Sequence, residues 1–125
     1  MIEKATCIDS NKKREIEYYP AKAVRKEMDS LPERRRDKFL VDLNLIAHNQ
    51  APTCQVTHLN DIGNGVTELK INGRPAFRCI FYTKEDGKVY VLHATEKTTN
   101  GSDRQLKNVV AQRYKQLRSD LKEVA

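Results

Sequence analysis

No run of eighteen apolar residues interrupts this chain, so no membrane-spanning helix is expected. The N-terminus carries Glu3 and Lys4 and lacks an apolar stretch, so it does not read as a signal peptide, and a cytoplasmic protein is expected. Cysteine is scarce: Cys7, Cys54 and Cys79 are odd in number and far apart, matching neither a disulfide framework nor a zinc spacing. Cys79 falls on the apolar side of an alternating segment, where it reads as a small core residue. The three histidines are scattered and the carboxylates form no ligand-spaced cluster, so neither a metal nor another cofactor is expected. Gly63-Asn64-Gly65 is a turn rather than a phosphate loop. Internal repeats, low-complexity tracts and any sign of a second domain are lacking too.

What is present is charge. Of 125 residues, 38% are hydrophobic and 32% charged, with a net charge of +6. One α+β domain spanning residues 1–125 accommodates that length with a core of its own. The positive balance favours a polyanionic partner such as RNA, DNA or a ribosome surface, although a basic protein need not bind nucleic acid.

The most informative segment runs from Gly65 to Tyr82. Apolar and polar side chains alternate, break at Asn72-Gly73, and alternate again, which predicts a β-hairpin. Leu69, Ile71, Phe77, Cys79 and Phe81 share its buried face; Glu68, Lys70, Arg78 and Tyr82 share the other. A third strand, Val89 to Thr95, follows an Asp86-Gly87 turn.

Upstream, Ala5–Ile8 is a possible short strand, and Asn11-Lys12-Lys13-Arg14 reads as a turn. Pro20 suits a helix's first turn, and Ala21, Val24 and Met28 recur at helical spacing to about Asp29. Ser30-Leu31-Pro32-Glu33 matches a capping box, with Ser30 as N-cap. The helix behind it carries Phe39, Leu40, Leu43, Ile46 and Ala47 as a stripe. Arg34-Arg35-Arg36 lies in its first turn, where cations oppose the helix dipole; the run is either a solvated face or a phosphate contact. Residues 53–64 read as a loop, 98–101 as a linker, and Ser102-Asp103-Arg104-Gln105 as a second capping box. The last helix bears Leu106, Val109, Val110, Tyr114, Leu117 and Leu121 on one side. The expected order is two helices, three antiparallel strands and a helix, with a possible strand first. All helices are expected on one sheet face, leaving the other open.

This ordered set resembles the RelE/HigB toxin superfamily of bacterial toxin–antitoxin systems, in its phage-derived, HigB-like branch. The stretches that carry the resemblance are Val66–Ile71, Gly73–Tyr82, Val91–Thr98 and Ala111-Gln112-Arg113-Tyr114, with Ser30-Leu31-Pro32 in the helical hairpin. They cover roughly residues 20 to 115. The chain departs from the pattern at Thr95, where the family has phenylalanine, at Thr98, where it has a second lysine, and at Asn100-Gly101-Ser102, where it has Lys-Thr-Pro.

The resemblance implies a RelE-like fold, metal-independent endoribonuclease activity on mRNA at the ribosome, and a helix-turn-helix antitoxin of the HigA type as partner. Attack of a ribose 2′-oxygen on the adjacent phosphorus needs a base, cations for the phosphorane and an acid for the leaving oxygen. Arg78 matches the family's strand arginine, and its planar fork suits a phosphate; its alternative is pairing with Glu68 across the hairpin. Lys70 is read as a phosphate contact, and Arg74 beside the turn as a second RNA contact. His93 carries an imidazole, a side chain suited to proton transfer. Lys97 matches the first lysine of the family's pair and could act as base. Arg113 fits the helix arginine, and His58 stands where related toxins can carry a histidine. Tyr82 and Tyr114 could stack on bases or pack in the core. A gyrase-directed toxin of the ParE group and a decayed nucleic-acid-binding or regulatory protein of the same fold are the alternatives.

Overall fold

In the computed structural model, residues 13–85, 87–97 and 103–124 are described. The first element is an edge strand, β1 (Glu15–Tyr18), in a stretch whose pattern was ambiguous. Two helices follow, α1 (Ala21–Asp29) and α2 (Glu33–Ala47), then β2 (Gln55–His58), β3 (Val66–Ile71), β4 (Ala76–Tyr82), β5 (Lys88–Lys97) and α3 (Asp103–Val124). The five strands form one sheet in the order β1-β5-β4-β3-β2. β1 runs parallel to β5 and every other pairing is antiparallel.

This corrects the expectation of three or four antiparallel strands. β2 arises in the segment read as a loop, where Gln55–His58 pair with Thr67–Lys70. The element order therefore begins on a strand and gains a second one after the helical hairpin. The expected strand Ala5–Ile8, the linker 98–101 and Ser102 lie outside the described residues.

The β3–β4 hairpin follows its alternation: Ile71 pairs with Phe77, Lys70 with Arg78 and Leu69 with Cys79. Gly73, in the connecting turn, has φ +147°, a backbone region that side-chain-bearing residues rarely enter. Leu69, Phe77, Cys79 and Phe81 are buried together with Val24, Met28, Phe39, Leu43, Ile46 and Ala47 of the helical hairpin. Leu40, part of the predicted stripe of α2, stays 37% exposed.

α3 does not join these helices. Its Leu106, Val110 and Leu117 pack with Val66, Ile80, Tyr82, Tyr90 and Leu92 on the opposite sheet face. The second face is therefore not open, as expected, but half covered. The physical reason lies in the strands. Beyond Glu68 and Arg78 that face turns apolar with Val66, Ile80 and Tyr82, and burying it stabilises the fold at about 25 cal/mol per Å². Tyr82 and Tyr114 meet edge to face, 5.2 Å between centroids at 70°, inside this second core. Both therefore pack against each other rather than presenting rings on an open surface.

The capping expectation also changes. Ser30 follows α1, and its hydroxyl donates to the Lys26 carbonyl at 2.8 Å instead of capping α2. Pro32 stands at the α2 N-cap with no side-chain cap hydrogen bond. Two polar anchors, buried Asp42 and half-buried Arg14, fix the other end of the hairpin. Asp42 accepts hydrogen bonds from the Thr53 amide (3.1 Å), the Thr53 hydroxyl (2.8 Å) and the Cys54 amide (2.8 Å). Arg14 donates to the Ile46 carbonyl at 3.0 Å, a cation at the negative end of α2.

Candidate functional site

Register decides which polar groups share the α3 face of the sheet beyond the second core. Lys70 stands opposite Arg78, Arg78 opposite Thr95, and Ala76 opposite Lys97. Side chains alternate along each strand, so Lys70, Arg78 and Lys97 occupy one face of three adjacent strands. A β-bulge at Leu92 lets Phe81 pair with Val91 and Ile80 with His93. His93 is thereby two positions from Thr95 on the same face, a diagonal neighbour of Arg78.

The Arg78 guanidinium is held rather than free. Its Nε lies 3.4 Å from Glu68 Oε2, and the two side chains are each 10% exposed. One Nη donates to the Phe77 carbonyl at 3.1 Å, and the other has no partner among the described residues. The pairing with Glu68 is thus present, and it lies inside the protein, where loss of one partner would leave the other charge desolvated. Lys70 donates to the Thr57 hydroxyl at 3.2 Å. Its acceptor on the next strand comes from β2, an element the sequence pattern did not reveal.

His93 belongs to a second cluster. Its Nδ1 lies 3.0 Å from Glu27 Oε1 and 3.4 Å from Arg113 Nη1. Arg113 grips both oxygens of Glu27, at 2.9 and 2.8 Å, and donates to the Leu92 carbonyl at 2.9 Å. The Ala94 amide also donates to Glu27, at 3.3 Å. β1 covers only Lys88–Val91 of β5, so this network closes the strand's open edge just beyond. Burial would raise the Glu27 carboxyl, but hydrogen bonds and charge from His93 and Arg113 hold it at about 2. Glu27 was not singled out in the sequence, because a glutamate on a short basic helix looks like a solvated charge.

The remaining residues separate. His58 sits at the end of β2, exposed, 3.3 Å from the Thr67 hydroxyl. Thr67 pairs with Phe81 of the helical-hairpin core, so His58 lies on the sheet face opposite Arg78. Arg74 is exposed in the β3–β4 turn and lines a cleft of about 420 Å³ against the start of α2. Cys54 is buried, and burial with the Asp42 charge beside it pushes its thiol up to about 12; Cys79 is fully buried and likewise raised. Neither is an activated nucleophile. Among the described residues no His/Cys/Asp/Glu group is arranged to hold a metal, and no helix is long and apolar enough to cross a membrane.

A family model described as Phage derived protein Gp49-like (DUF891) matches residues 26–115. The chain belongs to the Gp49-like family. The matched span runs from the end of α1 through the sheet to Tyr114 and Lys115, so it includes Glu27, both strands of the hairpin, His93 and Arg113. The Gp49-like family is a RelE/HigB-type toxin-like family, which fits a toxin of a toxin–antitoxin pair and suggests an antitoxin partner. No curated protein matches the chain.

Proposed function

We propose that this Gp49-like protein is the toxin of a type II toxin–antitoxin pair and acts as an endoribonuclease on mRNA at the ribosome, in the manner of HigB-like proteins. The observation that carries this reading is the shared face of Lys70, Arg78 and Lys97 on three adjacent strands. Cations converging from separate strands suit a phosphodiester whose charge grows in the transition state.

In this reading Arg78 stabilises the phosphorane through the Nη not engaged by Glu68 or Phe77, and Lys70 contacts a neighbouring phosphate. His93 exchanges the proton. Glu27 engages its Nδ1, which fixes the ring and leaves Nε2 for transfer, the arrangement by which a carboxylate orients a catalytic imidazole. Arg113 and Glu27 are then positioning residues. Lys97 adds charge beside the scissile phosphate and is the second candidate for the base. Arg74 and His58 contact RNA outside this centre. A HigA-like antitoxin is the partner, and the cytoplasm the compartment.

The test is induced expression in growing cells, with mapping of mRNA 5′ ends. Growth arrest with codon-positioned cuts that disappear in Arg78→Ala supports the proposal. Arrest accompanied by DNA-damage signalling and intact mRNA points to a gyrase-directed toxin instead. Absence of arrest at verified expression leaves a non-enzymatic binding protein.

A further inference from the structure

The cleft beside Arg74 lies outside the centre just described. It sits on the helical-hairpin side of the sheet, since Phe77 and its partner Glu96 line it. Arg34 and Arg35 enter it from the first turn of α2, Arg74 from the β3–β4 turn, and Glu33 closes the helix side. None of the three arginines has an ion pair or side-chain hydrogen bond to a described residue. Arg35 instead stacks over the Phe77 ring, 5.8 Å from its centroid. That contact holds the guanidinium over the ring and leaves its N–H donors without a partner among the described residues.

Three exposed guanidiniums from two elements around one cleft offer convergent donors to a polyanion. Glu33 and Glu96 in the same lining argue against a simple anion such as phosphate. They need hydrogen-bond donors, and a nucleic acid offers both: phosphate oxygens for arginine and exocyclic amino groups for carboxylate. The outer face of a stacked arginine also accepts an unstacked base, which single-stranded RNA supplies. An acidic peptide would bring more carboxylates against Glu33 and Glu96. The cleft and the proposed centre lie on opposite faces of the sheet but near the same end of the hairpin, since Phe77 of the cleft is the chain neighbour of Arg78.

We propose that the cleft between the first turn of α2 and the β3–β4 turn is a subsite for single-stranded RNA, with Arg34, Arg35 and Arg74 on phosphates and Glu33 and Glu96 on base amino groups. It rests on the nucleic-acid reading above and extends it to RNA that reaches the turn end of the hairpin on the other face of the sheet.

The probe is a short fluorescein-labelled 2′-O-methyl RNA of mixed sequence, which cannot undergo 2′-oxygen attack, titrated with the full chain by fluorescence anisotropy. Arg34→Ala/Arg35→Ala/Arg74→Ala should weaken binding at least about tenfold at about 50 mM salt, and flatten the log-affinity against log-salt slope by about 2. Arg104→Ala/Lys115→Ala/Lys122→Ala, which removes the same charge from α3, should do neither. Should the triple variant lose its circular dichroism signal, Arg34→Ala/Arg74→Ala spares the Phe77 contact and should flatten the slope by about 1.4. Undiminished binding, equal loss in the α3 control, or equal displacement of the RNA by a deca-glutamate peptide overturns the subsite. If wild type cuts no mRNA but the cleft variant still loses RNA affinity, the nuclease reading falls and the subsite stands. If wild type cuts mRNA and the cleft variant binds as before, the reverse holds.

Discussion

Glu27 and Arg113 meet in a two-point ion pair across the open edge of β5, joining helices that pack on opposite faces of the sheet. Their side chains are 22% and 18% exposed, so water screens the pair only in part. The pair does what β1 does earlier along β5: it satisfies edge groups that would otherwise face solvent.

Removing one partner leaves the other charge half buried. Glu27→Ala should lower stability by about 2–3 kcal/mol, below the range for fully buried pairs. Urea denaturation measures it. A loss under about 0.5 kcal/mol would show that the edge contributes little.

The same pair predicts an acid limb. The folded Glu27 carboxyl titrates at about 2, below its ordinary 4.5. A depressed folded value means the unfolded chain takes up the proton first as pH falls. The stability Glu27 confers is thus complete above about pH 4.5 and lost as pH falls toward 2. The stability difference between wild type and Glu27→Gln should narrow over that interval. A difference independent of pH would mean that the charge is not what matters.

Arg78 joins a structural role to the proposed chemical one. Arg78→Ala should abolish growth arrest, with a loss on the order of a hundredfold or more in cleavage rate. It should also cost about 1–3 kcal/mol, because Glu68 is left buried without its guanidinium. Arg78→Ala/Glu68→Gln should recover much of the stability but none of the activity. Recovered activity in the double variant would show that Arg78 serves folding alone.

A methyl group at Gly63 would meet the Tyr114 ring at 2.4 Å. Tyr114 cannot swing aside freely, since Tyr82 packs against it. Gly63→Ala should therefore destabilise by about 1–3 kcal/mol. Combining it with Tyr114→Leu should cost less than the sum of the two changes, as a double-mutant cycle would reveal.

Thiol chemistry checks the cysteine reading. In a Cys7→Ser background, neither Cys54 nor Cys79 should react quickly with Ellman's reagent at mild alkaline pH, because burial holds both thiols protonated. Both should react on unfolding. Rapid labelling of the folded protein would contradict the buried placement.

The β3–β4 hairpin was legible because alternation is a local property. Each strand states its own two faces, but the register, with Lys70 opposite Arg78, was set by a connection of residues 72–75 longer than the Asn72-Gly73 signal implies. The helical hairpin was legible for the same reason, through Val24, Met28, Phe39, Leu43 and Ile46 at helical spacing. β1 and β2 were not. Each has only four residues, too few for alternation to mark a strand by itself, and each exists because a neighbouring strand offers it hydrogen bonds. The side of the sheet chosen by α3 was equally hidden, since an apolar stripe does not say which surface it will cover.

By itself, then, the sequence determined the strand faces of the hairpin and the set of cations available, since these depend on residues near one another along the chain. Tertiary structure decided which of those cations are held and which remain available. It seats Arg113 on Glu27 and Arg78 on Glu68, and it gathers Arg34, Arg35 and Arg74 around one cleft. The energy of a charge depends on partners and burial supplied from distant segments, and side-chain spacing along one segment carries no record of them.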